Sequence, residues 1–269
     1  MSVNVDSNGR RFVQTQFEVV GTPDEVWDAI ATGPGIACWF VPADFEQKDG
    51  KPVAVVYHFS PEMDIRGTVT AWDPPRTFAA QGEGWTPESP PMASEWTIEA
   101  HAGGTCTVRI VHSLFASTDD WDFQLEGSQE GWAGFFNILR IYLAHFRGQR
   151  SAIMQVTTPV SVSEGEAWEP LTAALGLKDA RVGEEWRTPA GVSPLSGVVE
   201  LLTEKPYDAL IRLDTPGPGI AALGALTYPS GDQVVAMNLY LYGERAAELA
   251  ARATPVWQAW LRETFAFPQ

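Results

Sequence analysis

Residues 127–149 constrain the fold of this chain more than any other stretch of its sequence. Their large apolar side chains recur at spacings of one, three and four residues, which places them on one stripe of an α-helix. That stripe consists of Trp132, Phe135, Phe136, Leu139, Tyr142, Leu143 and Phe146. Burying each of these side chains contributes about 1.5–3 kcal/mol, so we expect the strands that precede the helix to wrap around it.

The stretches that precede this helix alternate between apolar and polar residues, as half-buried strands do. In residues 105–114, the residues that share one face are Cys106, Val108, Ile110, His112 and Leu114. The dipeptide Gly103-Gly104 joins this strand to residues 94–100 as a hairpin. Further strands are expected at residues 12–20, 53–59, 65–72 and 77–81. Clean alternation predicts an antiparallel sheet with one covered face, and the long helix is the cover.

Between the first strand and the rest of the sheet, the sequence predicts two short helices. Thr22 can cap the first, and Pro23 suits its first turn. The triplet Gly33-Pro34-Gly35 ends this helix, and a second helical turn is expected over residues 36–40. Residues 82–92, rich in proline, glycine and serine, predict a loop that arches over the mouth of a pocket.

The order of these pieces resembles the START-like (SRPBCC) superfamily, and within it the branch named after the activator of a heat-shock chaperone ATPase. The pieces that carry the resemblance are Phe17-Glu18-Val19, Thr22-Pro23-Asp24-Glu25-Val26-Trp27, Trp39-Phe40, Gly67-Thr68-Val69, Asp73-Pro74-Pro75-Arg76-Thr77-Phe78, Glu95-Trp96-Thr97-Ile98 and Gly131-Trp132. The resemblance covers residues 11–148. It implies an α+β helix-grip fold, in which a curved antiparallel sheet grips the long C-terminal helix and leaves a cavity between them.

The second half of the chain repeats this order of elements. A strand at residues 154–162, a helix capped by Ser163, four further strands and a last helix at residues 244–265 are expected. Gly197-Val198-Val199-Glu200 is similar to Gly67-Thr68-Val69-Thr70. We therefore predict two domains, residues 1–150 and a degenerate second copy at residues 151–269. One larger domain with an extended sheet is the alternative.

The charge of the chain excludes some partners. Its 18 lysines and arginines stand against 34 acidic residues, which gives a net charge of −16. Such an acidic protein repels phosphate backbones and anionic lipid surfaces, so we expect neither nucleic acid nor a membrane as partner. No apolar run approaches the ~20 residues of a membrane span. With no signal peptide at its start and two distant cysteines, Cys38 and Cys106, the chain is expected to be cytoplasmic with reduced thiols.

Motifs that would identify a reaction are missing from the sequence. The four histidines, His58, His101, His112 and His145, have no metal-ligand spacing, so no metal is expected. The short glycine-rich motifs lack the residues of a phosphate cradle, and no nucleophile elbow appears. We expect no cofactor.

His112 is the one titratable residue that strand alternation places on the covered face. It is a candidate general base near neutral pH, and the alternative is a structural histidine that bonds to a backbone group or to the long helix. The stronger candidate site is a set of apolar and aromatic residues around it, since cavities for small molecules are lined this way. The predicted ligand-binding residues are Trp39, Phe40, Tyr57, Phe59, Trp96, Ile98, Ile110, His112, Trp132, Phe136 and Leu139.

These observations favour a non-enzymatic protein that binds a small hydrophobic molecule, such as a lipid, a polyketide or an aromatic metabolite, between sheet and helix. One rival hypothesis is a pocket enzyme, a polyketide cyclase or aromatase or a hydrolase, with His112 as acid or base; the resemblance permits it. The other is a chaperone-ATPase activator or stress-response partner. A homodimer or another protein partner stays open.

Overall fold

The computed structural model describes residues 3–7, 9–60, 63–82, 90–115, 118–228 and 231–266, apart from the side chains of residues 60, 123, 124 and 128–130. The chain forms two compact units, Met1–Gly148 and Gln149–Gln269. Each unit is an α+β arrangement of one antiparallel sheet and a C-terminal helix, which is the helix-grip fold predicted from the sequence.

The first unit is an eight-stranded antiparallel sheet with three helices. Its strands are β1 (Asn4–Val5), β2 (Arg11–Val20), β3 (Ala43–Lys48), β4 (Lys51–Ser60), β5 (Met63–Asp73), β6 (Thr77–Gly82), β7 (Met92–His101) and β8 (Thr105–Leu114). Its helices are α1 (Pro23–Ala31), α2 (Gly33–Ile36) and α3 (Asp122–His145). The strands lie in the order β1-β2-β8-β7-β6-β5-β4-β3. The alternating strands therefore pair as neighbours, with Ser94 opposite His112 and Trp96 opposite Ile110.

Local hydrogen bonds set the two short helices. Thr22 and Glu25 form a capping box at the start of α1, as the sequence predicts. Helix α2 begins at Gly33, earlier than predicted, because the Thr32 hydroxyl accepts a hydrogen bond from the Gly35 amide at 3.0 Å and caps it. The predicted turn over residues 36–40 follows directly, closed by a hydrogen bond from the Phe40 amide to the Ile36 carbonyl at 2.9 Å.

The long helix begins five residues earlier and ends four residues earlier than the stripe from 127 to 149 predicts. At its start, Asp122 forms an ion pair with Arg11 of β2. Leu125, in the first turn, is fully buried against Val13 and Leu114. These partners are distant in sequence, so helical periodicity alone does not reveal them. At its end, the chain leaves the helix at Phe146, where φ is −130°.

Strand β3 was missed because its residues, ADFEQK, lack clean alternation. It is the edge strand of the sheet, where charged residues are common. The loop expected at residues 82–92 is shorter, because β6 extends to Gly82 and β7 begins at Met92; residues 83–89 lie outside the described residues.

The second unit is a six-stranded antiparallel sheet with two helices. Its elements are β9 (Ser151–Val160), α4 (Glu164–Ala174), β10 (Glu185–Arg187), β11 (Ser196–Leu202), β12 (Tyr207–Thr215), β13 (Gly219–Thr227), β14 (Gln233–Tyr242) and α5 (Ala246–Thr264). The strands lie in the sheet in the order β10-β11-β12-β13-β14-β9. Ser163 caps α4 as predicted. This order of strand, helix, strands and helix matches the first unit and fits tandem copies.

The substitution Gly131→Ala should stabilise the first unit. Gly131 lies inside α3, and a Cβ at this position would meet no atom within 4 Å beyond the helix's own backbone. Glycine in a helix costs about 0.5–1 kcal/mol relative to alanine, because its unfolded backbone is freer. We expect the free energy of unfolding to rise by about this amount. Hydrogen exchange at the buried amides of β2 and β8 measures the free energy of unfolding of this unit alone.

Gly35→Ala is the matched control, because a Cβ there would lie 1.8 Å from the carbonyl oxygen of Asp28. Gly35→Ala should destabilise the first unit and therefore speed hydrogen exchange at the same amides. A Gly131→Ala variant that exchanges as fast as the unmodified chain contradicts the prediction.

Candidate functional site

Eight aromatic rings from four parts of the first unit meet between α3 and the inner face of the sheet. We call them the aromatic cluster: Trp39, Phe40, Tyr57, Phe59, Trp96, Trp132, Phe135 and Phe136. The first two follow α2, the next two belong to β4, Trp96 belongs to β7, and the last three belong to α3. The seven aromatic rings predicted as ligand-binding residues are thus brought together.

Trp132 lies at the centre of the aromatic cluster. Its ring centroid is 4.8 Å from that of Phe40, 5.4 Å from that of Trp96 and 5.5 Å from that of Phe136. Phe135, which was not among the predicted ligand-binding residues, lies 4.6 Å from Phe40. Its place on the helix stripe was the signal that it faces this way. These distances are ring contacts, so packed side chains occupy the place where the sequence predicted an open cavity.

The aromatic cluster has a buried inner layer and a half-buried outer layer. Trp39, Phe40, Trp96 and Phe136 are each at most 4% exposed. Tyr57, Phe59, Trp132 and Phe135 keep part of their surface in contact with solvent. Burial nevertheless raises the pKa of the Tyr57 hydroxyl well above its ordinary value. The outer four rings are therefore the part of the aromatic cluster that solvent reaches.

The other apolar residues predicted at the site belong to the core beneath the rings. Ile98 of β7, Ile110 of β8 and Leu139 of α3 are all buried. Ile110 and Trp96 are paired across β8 and β7. These three residues are part of the packed core next to the aromatic cluster.

His112 is a buried polar residue beside the aromatic cluster. It is 3% exposed and pairs with Val13 on one side and Ser94 on the other. Its Nδ1 lies 2.8 Å from the Ser94 hydroxyl oxygen, and its ring stacks on Trp132 with centroids 5.2 Å apart and planes 16° apart. Its Nε2 has no hydrogen-bond partner in the described part of the chain. The partner of Nδ1 is thus a side chain, whereas a structural histidine was expected to bond to the backbone or to the long helix.

Ser94 was missed by the sequence analysis. It precedes Trp96 and Ile98 on the inward face of the same alternating strand, and a serine at such a position was the available signal. Across the sheet, Ser94 pairs with Ala80 of β6, and a Cβ at Gly67 of β5 would lie 3.3 Å from the Ala80 Cβ. A row of small residues thus continues from His112 across β7, β6 and β5. The side chains of the sheet therefore occupy little space along this row.

The environment of His112 decides what chemistry it can perform. Burial lowers the pKa of its imidazole from 6.5 to about 3, so the ring is neutral at pH 7. A general base works best when its pKa lies near the working pH. As placed here, His112 is a weak base but a good neutral hydrogen-bonding group.

One end of the sheet forms an edge over the aromatic cluster. Antiparallel pairing brings the end of β4 beside the start of β5, and the end of β6 beside the start of β7. Two large apolar residues at this edge, Met63 and Phe115, are about half exposed, at 47% and 50%. The ion pair of Arg11 with Asp122 anchors the start of α3 at the same edge.

The outer face of the sheet carries polar features that are separate from the aromatic cluster. A cavity of about 420 Å³ is lined by Gln14, Gln16, Thr97, Glu99, Thr107 and Arg109. His58 lies 2.8 Å from Asp64 and 3.1 Å from Asp44, and hydrogen bonding to these carboxylates raises its pKa. Within the described ranges, no three histidine, cysteine or acidic side chains are arranged to hold a metal ion. No helix among the described residues is long and apolar enough to cross a membrane.

Residues 21–144 match the model of a family described as "Activator of Hsp90 ATPase homolog 1-like protein". No curated protein matches the chain. Among solved structures, it is similar to the di-domain ARO/CYC protein BexL of the BE-7585A biosynthetic pathway, with 12% identity over 96% of this chain and 100% of that one, and a TM-score of 0.45. The Aha1 dimer from Colwellia psychrerythraea has 21% identity over 51% of this chain and 98% of that one, with a TM-score of 0.40.

The stability of the first unit should fall as the pH is lowered from 7 to 5, because of His112. The unfolded chain takes up a proton at the ordinary pKa of 6.5, whereas the folded imidazole does so only near pH 3. Protons therefore favour the unfolded state across this window, at a cost of about 2 kcal/mol at pH 5. Urea unfolding followed by NMR signals of the first unit measures this loss.

His112→Phe is the control, because it keeps a ring of similar size and removes the titration. The variant should lose about 2 kcal/mol less than the unmodified chain between pH 7 and 5. The raised pKa of His58 stabilises the folded state as the pH falls, but this contribution is the same in both chains and cancels when they are compared. An equal loss in both chains rules out the assigned role of His112.

Proposed function

We propose that the N-terminal unit, whose residues 21–144 match the family model described as "Activator of Hsp90 ATPase homolog 1-like protein", binds a small hydrophobic molecule. The binding site is the aromatic cluster between the inner face of the sheet and α3. The ligand is held by the outer rings and contacts His112.

The observation that carries this proposal is the unpaired Nε2 of His112 beside the aromatic cluster. A buried polar atom without a hydrogen-bond partner costs about 1–3 kcal/mol, and a core built for stability alone would carry an apolar side chain there. A ligand that supplies the missing partner removes this cost. The aromatic cluster, which contacts His112 through Trp132, supplies the apolar surface that small-molecule sites use.

Binding requires the outer rings Trp132 and Phe135 to move away from the inner ring of Phe40, because both touch it in this structure. The contact between Phe40 and Phe135 and that between Phe40 and Trp132 are each worth about 0.5–1.5 kcal/mol. A ligand ring that enters between them replaces each broken contact with a new one. The half-buried state of Tyr57, Phe59, Trp132 and Phe135 makes them the rings that move.

We rank catalysis below binding. The rival pocket-enzyme hypothesis uses His112 as acid or base, and a pKa of about 3 makes it a poor proton acceptor at neutral pH. The chaperone-activator hypothesis is suggested by the family description alone. We infer a cytoplasmic location, which is supported by Cys38 and Cys106 because neither forms a disulfide.

Ligand binding should raise the melting temperature and change tryptophan fluorescence, since Trp132 and Trp96 line the site. A panel of palmitate, a sterol and anthraquinone samples the lipid, polyketide and aromatic classes. A compound present at 100 times its Kd stabilises the folded state by about 2.7 kcal/mol. If no compound of any class shifts either signal, the proposal fails.

Trp132→Leu tests the location of the site. Loss of the central ring should weaken binding about tenfold, as truncation of a buried aromatic anchor does. Trp72→Leu is the matched control, because Trp72 is also half-buried but packs against Trp27, Phe45 and Phe78 instead. Equal effects of the two substitutions would place the ligand elsewhere.

A further inference from the structure

The hydrogen bond between Ser94 and His112 determines which hydrogen-bonding group the buried imidazole offers. A neutral imidazole has one nitrogen that donates and one that accepts. The 2.8 Å contact joins Nδ1 to the Ser94 hydroxyl oxygen, so the direction of this bond decides what Nε2 carries.

The two directions leave different numbers of groups unsatisfied. If the Ser94 hydroxyl donates to Nδ1, only the N–H of Nε2 lacks a partner in the described part of the chain. If Nδ1–H donates to Ser94, both the lone pair of Nε2 and the hydroxyl hydrogen of Ser94 lack one. The first direction leaves fewer groups without a partner, and even the half-buried hydroxyl of Ser94 gains by donating to Nδ1, so this direction is favoured. Nε2 therefore bears the hydrogen and donates.

The plane of the imidazole determines the shape of the group that accepts this bond. A hydrogen bond from Nε2–H lies in the plane of the ring. Trp132 lies nearly parallel to that plane, at 16°, with its centroid displaced 5.2 Å. A flat molecule bonded to Nε2 and coplanar with the imidazole is thus nearly parallel to the same indole.

We infer that the ligand is an uncharged planar aromatic molecule with a carbonyl oxygen, which accepts a hydrogen bond from Nε2–H of His112 while its ring stacks on Trp132. This inference rests on the proposed function and names its ligand class. Carboxylates are excluded, because an ion in this apolar surrounding would need a charged partner and the imidazole is neutral at pH 7.

Three naphthalenes of similar shape test the assignment on the full chain. They are 2-acetylnaphthalene, which carries the carbonyl, 2-ethylnaphthalene, which lacks it, and 2-naphthoate, which is charged. We expect the ketone to bind about five- to tenfold more tightly than the hydrocarbon, as one neutral hydrogen bond provides, and the naphthoate to bind most weakly. Equilibrium dialysis measures all three.

His112→Phe should bring the ketone and the hydrocarbon to equal affinity, while His101→Phe, at the exposed end of β7, should leave their ratio unchanged. If the unmodified protein binds both equally, the carbonyl assignment is overturned and the proposed binding survives. If it binds none of the three and no compound of the wider panel, the proposed function is overturned as well.

The tautomer of His112 gives a second test that needs no ligand. Long-range proton–nitrogen correlation spectra distinguish Nε2–H from Nδ1–H imidazoles. We expect the Nε2–H form in the unmodified protein. The Nδ1–H form would overturn the assignment of a carbonyl acceptor, whatever the naphthalenes show.

Discussion

The packing of the aromatic stripe of α3 against the inner face of the sheet is the interaction on which the first unit depends. Phe136 stacks on Phe17 of β2 with centroids 4.1 Å apart, and it also contacts Trp39 and Trp96. One helix thereby joins strands from the middle of the sheet to the segment that follows α2. The alternation of β7 and β8 makes sense only with this cover, because an uncovered apolar face would be exposed to water.

Within this packing, His112 lowers the stability of the first unit. A phenylalanine at that position would stack on Trp132 equally well and leave no nitrogen without a partner. The imidazole costs free energy in two ways, through the unpaired Nε2 and through the loss of its proton on folding. Ser94 offsets part of this cost by satisfying Nδ1 and fixing the ring's orientation. A single polar group in an apolar site gives direction to a ligand that the rings alone would hold in many orientations.

Sequence periodicity predicted this architecture where one helix or strand face controls burial. It predicted the stripe of α3, the inward face of β8 with His112, and the capped starts of α1 and α4. It failed where a distant partner decides the outcome. The start of α3 depends on Arg11, which lies 111 residues from Asp122, and the edge strand β3 depends on pairing with β4. The contacts between rings could not be predicted either, because spacing tells which side chains share a face and not whether they leave room between them.

The inward side chains of the second unit differ from those around His112. Strand β14 takes the place of β8 beside the first strand of its own unit, and its core-facing residues are Val235, Met237, Leu239 and Leu241. All four are apolar, so β14 offers no counterpart of His112 among them. The C-terminal helix α5 contributes Trp257 and Leu261 to an interior that is mostly aliphatic. The same order of elements thus supports a mostly aliphatic core in one unit and, in the other, an aromatic cluster beside a buried imidazole. The difference lies in a few inward side chains and not in the fold.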